Sequence, residues 1–280
     1  MKKITRRSFL AAAGLSVAAL ALTACGGSSS SVASSVASSA AASSEAASTS
    51  AAAGELTTVE AGKLTMATNA TFPPYEMTTD AGTIEGIDVD TAQAIAEKLG
   101  LELQIDDMDF DAALLSVQQG KADIVMAGVT VTDERKAVMD FSDSYATGIQ
   151  SIIVPEGSDI ASPDDLAGKK IGTQRGTTGY IYCSDDFGDD AVVAYDNGLT
   201  AVQALNNGQV DAVVIDNAPA KEYVAANPGL TILDTSYAEE DYAIGMAKGS
   251  SLEAAVNAAL EELKADGTLQ AIVDKYITAE

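Results

Sequence analysis

Arg135, Thr178 and Asp216 are the residues whose type and context best suit them to chemistry, and the chemistry is recognition of ions. Arg135 closes a Thr-x-Thr-x-x-Arg string that starts at Thr130. Its planar donor fork matches a carboxylate through two parallel hydrogen bonds, although a surface arginine on a short helix over 133–138 fits the same string. Thr178 follows the Gly176 turn after an apolar run, which predicts a helix N-terminus, where free N–H groups and the helix dipole favour an anion. Phosphate would suit such a turn too, but the lysine and spacing of a P-loop are missing, so carboxylate is the better fit. Asp216 ends the run Val213-Val214-Ile215, a costly place for a free carboxylate; it reads either as a functional acid or as the N-cap of the next helix.

Composition removes most covalent chemistry. The 280 residues include no histidine, which excludes Ser-His-Asp and Cys-His nucleophiles and the common zinc sites, and no metal or cofactor is expected. Of the two cysteines, Cys183 is expected as a small buried residue on a helix. With 41 acidic against 16 basic residues the chain would repel nucleic acid and anionic lipid, and the scattered acids read as a solvated surface.

The first 54 residues carry an address. Lys2, Lys3, Arg6 and Arg7 precede an apolar run over 9–22, too short to span a bilayer and proportioned like a signal-peptide core. Leu22-Thr23-Ala24-Cys25 resembles the bacterial lipobox, which implies cleavage after residue 24, a lipid on Cys25 and attachment to the outer face of the cell membrane or its periplasmic side. Thr5-Arg6-Arg7-Ser8-Phe9-Leu10 also looks like a twin-arginine signal, with the general secretory route as the alternative. Residues 25–54 are mostly Ser and Ala and form an expected flexible tether.

From residue 55 onward, short apolar runs alternate with amphipathic segments, the pattern of an α/β protein with parallel sheets. Strands are expected at 64–68, 101–105, 124–128, 150–154, 170–173, 192–195, 212–215, 231–233 and 243–247, with helices at 89–99, 110–119 and 216–226. One phrase occurs twice: Gln-Gly-Lys-Ala-Asp at 119–123 and Asn-Gly-Gln-Val-Asp at 207–211, each after a helix and before an apolar strand. The repetition suggests two lobes of like local topology, although such an exit from a helix is common.

Six strings in order, among them Ala67 to Glu76, Gly86 to Asp90, Gly128 to Arg135, Phe141 to Tyr145, Gly176 to Thr178 and Val210 to Asp216, resemble the polar amino-acid solute-binding proteins of ABC importers, across residues 64–277. The resemblance implies a two-lobed, periplasmic-binding-protein-like (type II) Venus flytrap. Each lobe would be a mixed, mostly parallel sheet flanked by helices: lobe 1 from 55–148 plus 243–280, lobe 2 from 149–242, with hinge strands near 149–150 and 241–243. It implies no enzyme activity, a monomer, an amino-acid ligand in the cleft and ABC permease transmembrane subunits as partners.

By the same resemblance Arg135 holds the ligand carboxylate, with Gly128 and Thr130 offering N–H groups and a hydroxyl and Thr178 donating from the other lobe. Asp216 takes the ammonium, while Phe72 and Phe110 sandwich the side chain or belong to the core. Family members that bind basic ligands often carry an acid where this chain has Asn69, so a neutral glutamine- or cystine-like ligand is favoured. Gln174 and Arg175 flank the cleft, and an inward Arg175 would favour an acidic ligand. Two other functions suit the scaffold: a dehydratase of aromatic amino-acid precursors, and a sensing or adhesive lipoprotein.

Overall fold

The apolar runs pair into two mixed sheets, and each run is buried according to its place in its sheet. The computed structural model describes residues 56–277; the export segment 1–24, Cys25 and the tether 25–54 lie outside them. The first sheet has the order β5 (Glu102–Asp107), β1 (Lys63–Thr68), β6 (Ile124–Val125), β14 (Gly245–Ala247), β7 (Met139–Phe141). Strand β1 lies between two neighbours and is buried from Leu64 onward, whereas the edge strand β5 is only half-buried. The second sheet runs β10 (Val192–Tyr195), β9 (Ile171–Gln174), β11 (Ala212–Asp216), β8 (Ala146–Pro155), β12 (Leu230–Ile232), and β13 (Ala238–Tyr242) also pairs with β8. Parallel pairing is confined to β5-β1-β6 and β10-β9-β11; every pair involving β7, β8, β12, β13 or β14 is antiparallel. The fold is thus the expected two-lobed α/β type with mixed sheets, but the sheets are not mostly parallel: among the described residues four of their strand pairs are parallel and five antiparallel.

Among the described residues eight α-helices surround these sheets: α1 (Ile87–Leu99), α2 (Phe110–Gln118), α3 (Asp133–Val138), α4 (Thr178–Phe187), α5 (Gly198–Asn206), α6 (Asn217–Ala226), α7 (Glu253–Ala265) and α8 (Thr268–Tyr276). Helix α1 buries Val89, Ala92, Ile95 and Ala96 along one face and stops at left-handed Gly100, as its 3.6-residue spacing predicts. Cys183 is buried on α4. No helix among the described residues is long and apolar enough to cross a membrane.

The repeated phrase builds the same joint twice. After α2 and after α5 the chain turns through left-handed Gly120 (φ 65°) and Gly208 (φ 66°), which glycine adopts without a Cβ clash. The aspartate three residues on then accepts a backbone N–H from the chain entering the neighbouring parallel strand: Asp123 from Thr65 at 2.8 Å, Asp211 from Lys170 at 2.7 Å.

Three features escaped the pattern. The small sheet of β2 (Thr71–Phe72), β3 (Glu76–Thr78) and β4 (Ile84–Glu85) consists of two- and three-residue strands, too short to show a period. Strand β7 is three residues long. Strand β13 reads Ala-Glu-Glu-Asp-Tyr, a charged run of low β-propensity held by its pairing with β8. The strand expected over 124–128 is short, ending at Val125 where the chain leaves for the cleft.

Candidate functional site

All nine sequence-predicted site residues line one cavity between the two sheets: Asn69, Phe72, Phe110, Gly128, Thr130, Arg135, Gln174, Thr178 and Asp216. Glu76, Ala127 and Thr177 complete its wall. Its walls are nearly shut, leaving about 20 Å³ of room for water centres, enough for about one water molecule and too little for an amino acid.

Contacts from one wall to the other hold it closed. Arg135, on the short helix α3, is 8% exposed, which removes the surface-arginine alternative. Its guanidinium donates to the Thr130 carbonyl at 2.7 Å and, across the gap, to the Gly176 carbonyl at 3.1 Å; its central carbon lies 5.4 Å from the ring centre of Phe110. A guanidinium has five N–H donors, so these two bonds leave others for a ligand. Burial lowers its pKa, against the opposing pull of Glu240. Phe110 and Phe72 are both core members and cavity walls, so neither half of that alternative excludes the other.

Helix α4 starts at Thr178 as expected, but its cap is Thr177, whose hydroxyl accepts the Tyr180 N–H at 3.3 Å. The Thr178 hydroxyl, expected to face a carboxylate, instead donates to Glu240 at 3.0 Å. The backbone N–H of Gly128, expected to face the ligand, donates to buried Asp88 at 2.9 Å. Asp216 sits at the N-cap of α6 but makes no capping hydrogen bond; its carboxylate accepts from Gln150 at 2.7 Å. Burial pushes its pKa up to about 7, with the nearby Glu240 charge adding to the rise.

Asn69 and Gln174 are occupied with each other. The Asn69 amide oxygen accepts from Gln174 at 2.9 Å and from Thr71 at 2.9 Å, and its nitrogen donates to the Met108 carbonyl at 2.9 Å. Arg175 is exposed and lies 4.0 Å from Asp196, so it does not enter the cavity.

Two acids at or behind the wall were not singled out from the sequence. Glu76 is fully buried, lines the cavity and accepts no hydrogen bond from an N–H or hydroxyl donor among the described residues. Burial, then the charge of Asp88, hold it well above the usual carboxylate range, and burial raises Asp88 itself to about 6. Glu240, on β13, stands behind Thr130 and Thr178. Its signal was the alternation Glu239, Glu240, Asp241, Tyr242, which places Glu240 on the inward face with buried Tyr242. Glu76 sits beside aromatic and proline residues, the same kind of apolar setting that marked Asp216.

A larger groove of about 610 Å³ lies on the other side of Asp216, lined also by Tyr75, Gly148, Ile149, Lys221 and Tyr276. Gly148 is required there, because a Cβ at that position would come within 2.6 Å of the Asp216 carboxylate.

Comparison with known proteins gives this architecture a family. Residues 64–279 match the bacterial extracellular solute-binding proteins, family 3. A probable histidine-binding protein of Neisseria gonorrhoeae is 34% identical over 279 residues, 96% of this chain and 95% of the relative. The L-cystine-binding protein TcyJ of Escherichia coli (strain K12) is 34% identical, over 79% of this chain and 85% of its own. Among solved structures, an ancestral arginine-binding protein bound to glutamine superimposes with a TM-score of 0.75 at 43% identity, covering 78% of this chain and 99% of that one. These relatives are binding proteins and not enzymes, and the chain belongs to the bacterial extracellular solute-binding proteins, family 3.

Proposed function

We propose that the protein captures a polar α-amino acid between its lobes and presents it to the transmembrane subunits of an ABC importer. The observation that carries this reading is the cavity's pairing of a buried guanidinium beside a helix N-terminus with a buried carboxylate, the complement of a zwitterion. In this reading Arg135 and the first N–H groups of α4 hold the α-carboxylate, and Asp216 faces the α-ammonium. Residues 55–148 with 243–280 form one lobe and 149–242 the other, parting to admit a ligand that the shut cavity cannot hold. Cys25 carries the lipid that keeps the domain at the membrane, and the chain works as a monomer.

The side-chain end of the ligand meets Glu76. The preference for a neutral ligand drawn from Asn69 rests on an amide already engaged on both sides, whereas Glu76 has no donor partner among the described residues. A side chain with N–H donors, whether amide, imidazole, guanidinium or the far ammonium of cystine, satisfies it. The histidine-, cystine- and arginine-binding relatives are named for ligands of this kind.

A thermal-shift screen against the twenty amino acids and cystine tests the reading. A ligand that binds only the folded state at a hundredfold excess over Kd adds about 2.7 kcal/mol of stability. Arg135→Ala is expected to abolish the shift while the ligand-free protein still melts cooperatively. Normal binding by that variant would remove the carboxylate assignment, and no shift from any amino acid would remove the function.

A further inference from the structure

Glu240 gathers donors from both sides of the cleft onto one oxygen. Its Oε2 accepts from the Thr130 hydroxyl at 3.1 Å, the Thr178 hydroxyl at 3.0 Å and the Gln150 side-chain amide at 3.0 Å. The same Gln150 nitrogen donates to Asp216 at 2.7 Å, so one amide bridges the two acids. Backbone bonds fix the arrangement: Val131 donates to the Asp241 carbonyl at 3.0 Å and Ala243 to the Val129 carbonyl at 3.1 Å, pinning the Thr130 loop against the end of β13. Glu240 is 6% exposed and is not part of the cavity wall, so it reaches a ligand only through the threonines.

A hydroxyl has one proton. The contact between the two threonine hydroxyls is 3.4 Å, longer than either bond to Glu240, so both protons point to the acid. Each threonine then has only lone pairs to present to the cleft. We propose that Glu240 is a positioning residue that turns the Thr130 and Thr178 hydroxyls into acceptors, so that these hydroxyls serve the α-ammonium and leave the α-carboxylate to Arg135 and the backbone N–H groups of α4. The proposal rests on the amino-acid reading above and deepens it: Asp216 supplies one negative partner, and Glu240 fixes two neutral acceptors beside it. Discrimination for the amine, and not overall affinity, is its consequence.

The test uses Glu240→Gln in the full protein, with L-glutamine and L-arginine as probes, each beside its des-amino counterpart. Calorimetric titration gives the preference of each protein for the amine-bearing ligand, and melting of the ligand-free protein checks the fold. An amide at 240 can donate to one threonine and free its proton to point into the cleft, so the preference is expected to drop about tenfold or more, with the des-amino ligand bound as well as before. If Glu240→Gln does not fold, Thr178→Val decides, since it removes one of the two acceptors without touching the acid; a smaller drop in the same preference is expected. An unchanged preference, or equal loss for both ligands, overturns the inference while leaving the amino-acid function in place. Failure of the wild-type protein to bind either amino acid overturns both.

Discussion

Two pairs of buried carboxyl groups flank the cleft, and they handle the cost of burial in opposite ways. Glu76 and Asp88 are both fully buried, with a single backbone N–H donated to the pair, from Gly128. Burial pushes both carboxyls toward the protonated form. Asp216 and Glu240, 7% and 6% exposed, are served by two hydroxyls and a bridging amide. Neutralisation and hydrogen bonding both make a buried acid tolerable, but they prepare different surfaces. The first pair, with Glu76 pushed well above the usual carboxylate range and lacking N–H or hydroxyl donors among the described residues, presents a wall suited to reading a side chain. The second pair is ringed by donors, and a cation arriving beside Asp216 draws its carboxyl, raised to about 7, toward the ionised form.

The pH dependence of stability is the widest way to break this contrast. Burial raises Asp216 to about 7 and Asp88 to about 6 from an ordinary value of 3.8, so between those limits the folded state holds more protons than the unfolded. Stability of the ligand-free protein therefore falls as pH rises from about 4 to about 7, by several kcal/mol. Surface carboxylates that lysines hold low, such as Asp140 and Asp159, act with the opposite sign only below that window. A ligand ammonium beside Asp216 favours its ionised form, so affinity should rise over the same interval. Thermal melts and titrations from pH 4.5 to 8 would check both trends, and a melting temperature that climbs toward neutrality would contradict the assignment of these acids as the dominant groups.

Substitution sharpens the comparison next. Asp216→Asn removes a charge that faces the ligand, and affinity is expected to fall by about 2–5 kcal/mol. Glu76→Gln replaces a protonated acid with a neutral group of the same shape, so stability should hold within about 1 kcal/mol, and affinity for a neutral ligand should change little. Equal losses in the two variants, measured by calorimetry, would mean that the two pairs are not different in kind. At Asp88 the effect is on folding alone: Asp88→Ala orphans the buried Gly128 N–H and should cost about 1–3 kcal/mol of folding stability in denaturant titration, and Asp88→Asn, which can still accept that bond, less.

What the sequence disclosed follows the same division. Arg135 and Asp216 were legible because an arginine in a threonine-rich turn and an acid at the end of an apolar run are both out of place unless employed. The helix start at Thr178 and the doubled joint at Asp123 and Asp211 were legible because local turn chemistry repeats. Glu240 was hidden in a run of three acids that looks like solvated surface until pairing with β8 turns alternate residues inward. The engagement of Asn69 with Gln174, 105 positions apart, and of Gly128 with Asp88 arises only when the fold closes, so the polar groups counted as free for the ligand were partly committed to the protein itself.

Asp216 borders both the shut cavity and the larger groove, and under the proposed function this has a consequence for the proton it carries. When a ligand's ammonium arrives on one face of the carboxyl, the displaced proton has an exit on the other, toward bulk water. Release of that proton need not wait for the lobes to part again, and Gly148, by staying small, keeps the vent open.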